Sequence, residues 1–427
     1  MRLVALERWR PRESEWNRAA AAHLFRRLGF GAEPGRVERA LGDGFEPTLE
    51  ELLAKDAHDP RLLAGAEALL PAGSTDDLAA WWMSLVLAGG APLRERTTLM
   101  WHDHFATSDR KVEDARAMHR QNRWLRERGL GDFRELLHGI AKDPAMLVWL
   151  DGNSNRAGHP NENFAREVME LFALGIGNYD ERDVQEAARA LTGWGTEGRS
   201  FVFREKDHDA GSKRVLGRGT RSGEEALDAI LAHPACPRFV ARRLLEEFVA
   251  PAPEVAWVEE TAALLVERDW NVRATLEVLL ASRLFFSPAA RRSRIAAPVE
   301  CLAITARTLA ARLAPRKAAE AARAMGQSLF RPPSVKGWDG GRAWINAGTW
   351  VARHDALFEL ARGAGGLVSV AEPAEVPRNV LEVLLPDLDP APFTPVLERA
   401  ARRAQDLESA LELVTALVLT SPEFQMV

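Results

Sequence analysis

"PNENFAREVMELFALG", residues 160–175, decides how the chain is to be read. Pro160 and Asn161 mark a helix start, because a short amide oxygen at Asn161 or Asn163 can take the free N–H groups of a first turn. Beyond them Phe164, Val168, Leu171 and Phe172 recur at three- and four-residue intervals and form an apolar side. Glu162, Arg166 and Glu170 recur every fourth residue as a second stripe, while Glu167 and Glu170 can face a common centre. The plain account of these charges is a solvated face with Glu162–Arg166 and Arg166–Glu170 pairs, each contributing roughly a few tenths of a kcal/mol. The functional account is a carboxylate-lined pocket.

The same period runs along most of the chain. "VEDARAMHRQNRWLRERG" (112–129) places Val112, Met118 and Leu125 about two turns apart and stops at Gly129. "TDDLAAWWMSLVLAGG" (75–90), "PVECLAITARTLAARL" (298–313) and "LESALELVTALVLTSPEF" (407–424) behave alike. Such runs mostly open on Asp, Ser or Thr and often close on Gly or Pro, the residues that cap helix ends. The expectation is an all-α protein, a multi-helix orthogonal bundle. Its main helical body covers residues 1–362, a linker 363–377, and C-terminal helices 378–427 pack on that body.

Two segments break the helical pattern. "SFVFREKDHDAGSKRVLG" (200–217) holds a β-favouring run, a turn and a second short run, which predicts a hairpin inserted at about 195–223. In "LFRPPSVKGWDGGRAWINAGTW" (329–350), Pro332 and Pro333 forbid a continuous helix and Gly337, Gly340 and Gly341 permit tight turns. It reads as a lid-like loop over about 329–349.

The chain has 427 residues, 46% hydrophobic and 27% charged, with a formal net charge of −5, which is ordinary for a globular protein with a sizeable core. Of 56 basic residues seven are lysine, leaving 49 arginines; with an acidic net balance this excess reads as codon composition, and no nucleic-acid partner is expected. Cys236 and Cys301 could pair or simply be buried. No window approaches the roughly 18 apolar residues of a membrane helix. The amino terminus as given does not resemble a secretory signal, so a cytoplasmic location is expected, with export to the periplasm the alternative if a leader has been removed.

Chemistry-bearing residues cluster in four places. "MWHDHFATSDRK" (100–111) carries His102 and His104, which on a helix point nearly opposite ways and converge only if the chain leaves the helix there. With Asp103 and Asp109 they are ligand types for zinc or iron, although a hydrogen-bonded core histidine is the plainer account. "KDHDAGSK" (206–213) places Lys206, His208, Asp209 and Lys213 at the hairpin tip, either as a solvated turn or as acid–base groups delivered by a flap. Lys336 joins Trp338 and Trp344 in the Pro/Gly loop. Tryptophans number 13 against one tyrosine; most suit core packing, and exposed ones suit stacking on sugars. Phosphate-loop, dinucleotide, serine-hydrolase and zincin motifs are absent.

"AAAHLFRRLGFGAEPG", "WHDHFATS", "GDFRELLHGIAKDPAMLVWLDGNSN", the 160–194 segment, "HDAGSKRVLG" and "LFRPPSVKGWDGGRAWIN" together resemble the domain of unknown function 1800 family of large bacterial proteins. The resemblance covers about Ala19 to Phe424. Matching motif positions are His102, His104, Asn161, Glu162, Asn163, Arg166, Glu167, Glu170, His208, Asp209, Lys213, Lys336, Gly337 and Trp338. It implies an envelope or exported-polymer role and a partner protein of sulfatase-like type, with no settled activity.

The expected function is a metal-dependent enzyme, a hydrolase or oxygenase acting on an envelope or extracellular polymer or conjugate. His102, His104, Glu162 and Glu170 would hold zinc, iron or manganese. Asp209, His208 and Glu167 would be catalytic, and Arg166, Lys213, Lys336 and Trp338 would bind a polymeric or anionic substrate. The alternative is a non-catalytic helical binding or scaffold protein whose charges form a buried ion-pair network.

Overall fold

A computed structural model describes residues 5–70, 73–363, 370 and 372–427. Among the described residues there are 22 α-helices and two small antiparallel sheets of two strands each, so the all-α expectation holds. Capping works as the sequence suggested: Ser74, Asp114, Asp132, Asp180 and Asp406 each accept a first-turn N–H with a side-chain oxygen. No helix among the described residues is long and apolar enough to cross a membrane.

The expected single hairpin is two. Strand β1 (Trp194–Glu197) pairs with β2 (Ser200–Phe203), and β3 (Lys213–Val215) pairs with β4 (Arg218–Thr220). Between β3 and β4, Leu216 and Gly217 both have positive φ, the turn whose twist matches a two-residue hairpin. Position 216 carries no glycine to announce it. The Leu216 N–H is held instead by Asp183 Oδ1 at 2.7 Å.

Apolar side chains form two buried clusters. Leu24, Trp101, Phe105, Phe133, Phe172 and Leu276 belong to one; Trp82, Leu302, Leu357, Val380 and Val414 belong to the other. The second cluster joins the helices after Val376 to those at 75–88 and 298–308. Of the expected linker, residues 364–369 and 371 lie outside the described residues. Cys236 and Cys301 are both buried and free, one in each cluster.

The helix Pro92–His104 runs between the clusters, with Trp101 in the first and His102 against Trp82 and Phe330 of the second. Such a helix has no solvated face on which to leave charges, so its charges are paired inside. Glu95, 1% exposed, accepts hydrogen bonds from His58 Nε2 (2.8 Å), Arg126 Nε (2.6 Å) and Trp82 Nε1 (2.6 Å). Burial alone would push its carboxyl up, but Arg126 and His58 outweigh that and hold it at about 2, well below the ordinary 4.5. A carboxyl depressed in the folded state contributes stability above its unfolded pKa and loses it as pH falls toward the folded one. Glu95→Gln is therefore expected to cost about 3–5 kcal/mol in denaturant unfolding at neutral pH, the usual result of orphaning a buried charge. The variant should also lose stability less steeply than wild type between pH 4.5 and about 2; parallel curves would mean that Arg126 does not depend on Glu95.

Candidate functional site

His102 and His104 lie within one helix, which continues through His104, so the condition for their convergence is not met. His102 Nε2 accepts the Phe330 N–H at 3.1 Å, whereas His104 Nε2 donates to the Phe172 carbonyl at 3.0 Å. Burial pushes both imidazoles down to about 3, so both are neutral.

Residues 160–175 begin as an α-helix, Glu162–Glu167, and continue as a wider π-turn, Val168–Ala173. The change of pitch undoes the four-residue stripe. Arg166 bonds Glu162 at 3.0 Å as expected, but its other partner is Glu181, while Glu170 accepts from the Tyr179 hydroxyl at 2.9 Å. Glu167 stands beside Glu170, and burial first, then that neighbour's charge, raise its carboxyl.

The hairpin residues brace one another. His208 reaches the Thr192 carbonyl through Nδ1 at 2.8 Å and the Arg221 carbonyl through Nε2 at 3.0 Å. Asp209 pairs with Arg189 at 2.8 Å, and the buried Lys213 ammonium donates to the Asp209 and Arg221 carbonyls. Lys336 is exposed and pairs with Asp339 at 3.4 Å. The acidic helix, the hairpin and the two histidines each bond neighbours of their own. Among the described residues, no group of three or more His, Cys, Asp or Glu side chains is placed to hold a metal ion.

What the His102 segment and the Trp338 loop do share is a cleft of about 560 Å³. One wall is the Pro92–His104 helix with Arg96 and Asp103; a second is Ala235–Phe248 with Arg243, Glu246 and Glu247; a third is the start of Pro298–Thr308 with Glu300. Trp338, Arg342 and Trp344 close it from the loop.

Two neighbours on the first helix fasten that loop. While His102 takes the Phe330 N–H, Asp103 Oδ1 takes the Trp338 N–H at 2.8 Å, and Asp103 Oδ2 accepts from Arg243 at 2.5 Å. Gly337 has φ +85°, and a Cβ there would overlap the Asp103 carboxylate and carbonyl, so only glycine lets the loop come this close. Burial raises the Asp103 carboxyl, against the pull of Arg243 and the Trp338 N–H. Burial likewise raises Glu246, whose nearest cation, Arg243, stands 3.9 Å away.

The floor is a charge network. Arg96 binds Glu300 at 2.6 Å and Glu247 at 3.2 Å, and Arg294 binds Glu300 at 2.9 Å and Glu247 at 3.5 Å. Glu300 is held down at about 2: burial would raise it, but Arg294 and Arg96 prevail. The sequence did not single out Arg96, Arg243, Glu246, Glu247, Arg294 or Glu300. Their only local signal was "RRLLEEF" (242–248), which reads equally well as a solvated helix face.

Gly337→Ala is expected to destabilise the protein by about 1–3 kcal/mol, the cost of a strained positive-φ residue, and to change tryptophan fluorescence as Trp338 leaves Asp103. Unchanged melting and emission would show that the loop is not fastened there.

A family model described as a protein of unknown function, DUF1800, matches residues 23–426. No curated protein and no solved structure matches the chain significantly.

Proposed function

The chain belongs to the DUF1800 family, whose description gives no activity, and from that premise we propose that it is a hydrolase of an envelope or extracellular polymer or conjugate, working in the cleft beneath the Trp338 loop. The observation that carries this reading is Glu246, a half-buried carboxyl with a raised pKa and no hydrogen-bond partner among the described residues, facing a cleft that also holds Asp103. A carboxyl whose pKa is raised holds its proton further toward neutral pH and can donate it to a leaving oxygen. Asp103, oriented by the Trp338 N–H and Arg243, is the second carboxyl and takes the proton of the attacking water. The bond between the polymer unit and its leaving oxygen breaks as the water oxygen bonds to that unit. Trp338, partly exposed at the cleft, offers a ring of the kind sugars stack on.

Asp209, His208, Glu167, Arg166, Lys213 and Lys336 do not line this cleft and have no part in the proposed reaction. The metal-dependent form of the proposal, with zinc, iron or manganese on His102, His104, Glu162 and Glu170, rests on ligand types in the sequence. Elemental analysis of wild type beside a His102→Ala, His104→Ala double variant tests it, with near-stoichiometric metal lost in the variant the outcome that supports it.

Glu246→Gln is expected to lower kcat by about 10²–10⁴, the usual contribution of general acid catalysis, at unchanged melting temperature. Release of new chain ends from a panel of polysaccharides and glycoconjugates measures it. In wild type the rate should fall as pH rises past the Glu246 pKa, and this limb should be missing in the variant; equal rates in both would sink the assignment. A second reading, a non-catalytic binding protein, is favoured by the Arg96–Glu300–Arg294–Glu247 network, which can fix helix register without chemistry. On that reading no polymer turns over, and Glu246→Gln leaves polymer binding intact.

A further inference from the structure

We infer that residues 421–427 are a docked strap, held in an arginine cradle mainly through its main chain, whose undocking opens one wall of the cleft. The inference concerns the wall itself and does not depend on the chemistry proposed above.

The first support is the way the segment is gripped. The last helix ends at Leu419, and from Glu423 to Val427 every residue accepts a hydrogen bond from a guanidinium. Arg292 Nη1 donates to the Glu423 carbonyl at 2.5 Å, and Arg26 Nη2 donates to those of Phe424 (2.9 Å) and Met426 (3.1 Å). Arg27 Nη1 donates to the Val427 carbonyl at 3.3 Å, and Arg353 Nη1 to the Gln425 side-chain oxygen at 3.0 Å. Residues 294–296 complete the grip. The Ala296 N–H donates to the Gln425 carbonyl at 2.8 Å, and Arg294 and Val427 exchange N–H···O bonds at 3.2 and 2.7 Å.

Charge and strain give the second support. Arg27 and Arg353, 1% and 0% exposed, have only carbonyl oxygens as acceptors among the described residues. A guanidinium buried against neutral oxygens has no opposite charge to offset its lost hydration. Burial accordingly pushes Arg26 down to about 10 and Arg27 to about 9. Arg292, which pairs with Asp387 at 2.7 Å while holding Glu423, has φ +47°, a left-handed backbone in a residue with a side chain. Strain of this kind persists only where the surroundings impose it, and it collects at clamps and switches. Phe424 and Val427, each 2% exposed in the second apolar cluster, supply the hold that opposes release. Undocking exposes them, but it also rehydrates the arginines and relaxes Arg292.

What depends on the docking is the cleft. Met426 lines it, as do Arg294 and Ile295, and Ile295 forms an antiparallel bridge with Met426. Arg294 in turn binds Glu300 at 2.9 Å. Release of the strap takes Met426 out of the wall and leaves 294–296 without the partner that fixes the Arg294 backbone.

Hydrogen exchange of the full chain in rising, sub-denaturing urea, read by mass spectrometry, tests the inference. The strap and residues 292–299 are expected to exchange together, through an opening that urea promotes only weakly because it uncovers little surface. That opening should be at least about tenfold more frequent than the one that exposes the core helix Phe133–Ala141. Arg26→Gln removes the donor to Phe424 and Met426 and should speed exchange of both segments at least about tenfold, the usual effect of losing a hydrogen bond to a charged group, with 133–141 unchanged. Should this variant not fold, the wild-type urea dependence decides alone. Strap exchange that coincides with that of 133–141 at every urea concentration, or strap opening that leaves 292–299 protected, would overturn the inference. No polymer enters the measurement, so its failure and that of the hydrolase reading are distinct.

Discussion

Arg96 is the residue around which the cleft is organised. Its side chain is almost wholly buried, yet it touches three other parts of the chain: Glu247 near the end of one helix, Glu300 at the start of another, and the carbonyl of Arg26. Taking a guanidinium out of water costs several kcal/mol, and pairing it roughly offsets that cost without a large surplus. What the arrangement confers is geometry. Helices from three regions of sequence must meet with carboxylates at fixed points, or the charge is stranded. The cleft is the space left above that meeting point.

The roof obeys a different constraint. Consecutive residues on a helix point about 100° apart, so His102 and Asp103 cannot serve one ligand from the same direction, but they can hold two points of a passing loop. They do so at Phe330 and Trp338, eight residues apart, using a neutral imidazole as acceptor at one and a carboxylate at the other. The Pro/Gly composition of the loop then has a physical reason. Pro332 and Pro333 keep the span from coiling into a helix, and Gly337 lets its backbone touch Asp103. His104, turned to the other side, secures the end of the π-turn at Phe172. The motif "WHDH" is therefore a fastening for two segments, of which only Asp103 also faces the cleft.

Helices were legible because their signals are local: an Asp or Ser cap, a three-to-four-residue apolar period, a terminal glycine. The break at 329–350 was legible for the same reason, since two prolines and three glycines act on their own backbone. The π-turn at 168–173 was not, because "VMELFA" has good α-helical period and propensity, and only packing widens it. That one change of pitch moved Glu170 from Arg166 to Tyr179. Nor was the cleft legible. Its charged residues come from positions 96, 103, 243–247, 294 and 300, and nothing at any one of them distinguishes a buried charge from a solvated one. The histidines drew attention by residue type, yet burial and single hydrogen bonds explain them. Asp103, noted only as their neighbour, is the one that faces a cavity.

Carboxylates around that cavity fall into two kinds, and the difference follows from how many cations each one meets. Glu300 meets two arginines in the interior, and together they hold it ionised. Glu246 is desolvated beside Arg243 and Arg242, and Arg243, 3.9 Å away, is already committed to Asp103 at 2.5 Å. Commitment of Arg243 to one carboxylate thus weakens its pull on the other, whose carboxyl burial raises. The cleft therefore holds a carboxylate kept ionised by arginines and, on another helix, a carboxyl raised by burial. The floor is a charge network whose members fix one another, whereas the roof is a loop that Asp103 and His102 tie down at two points.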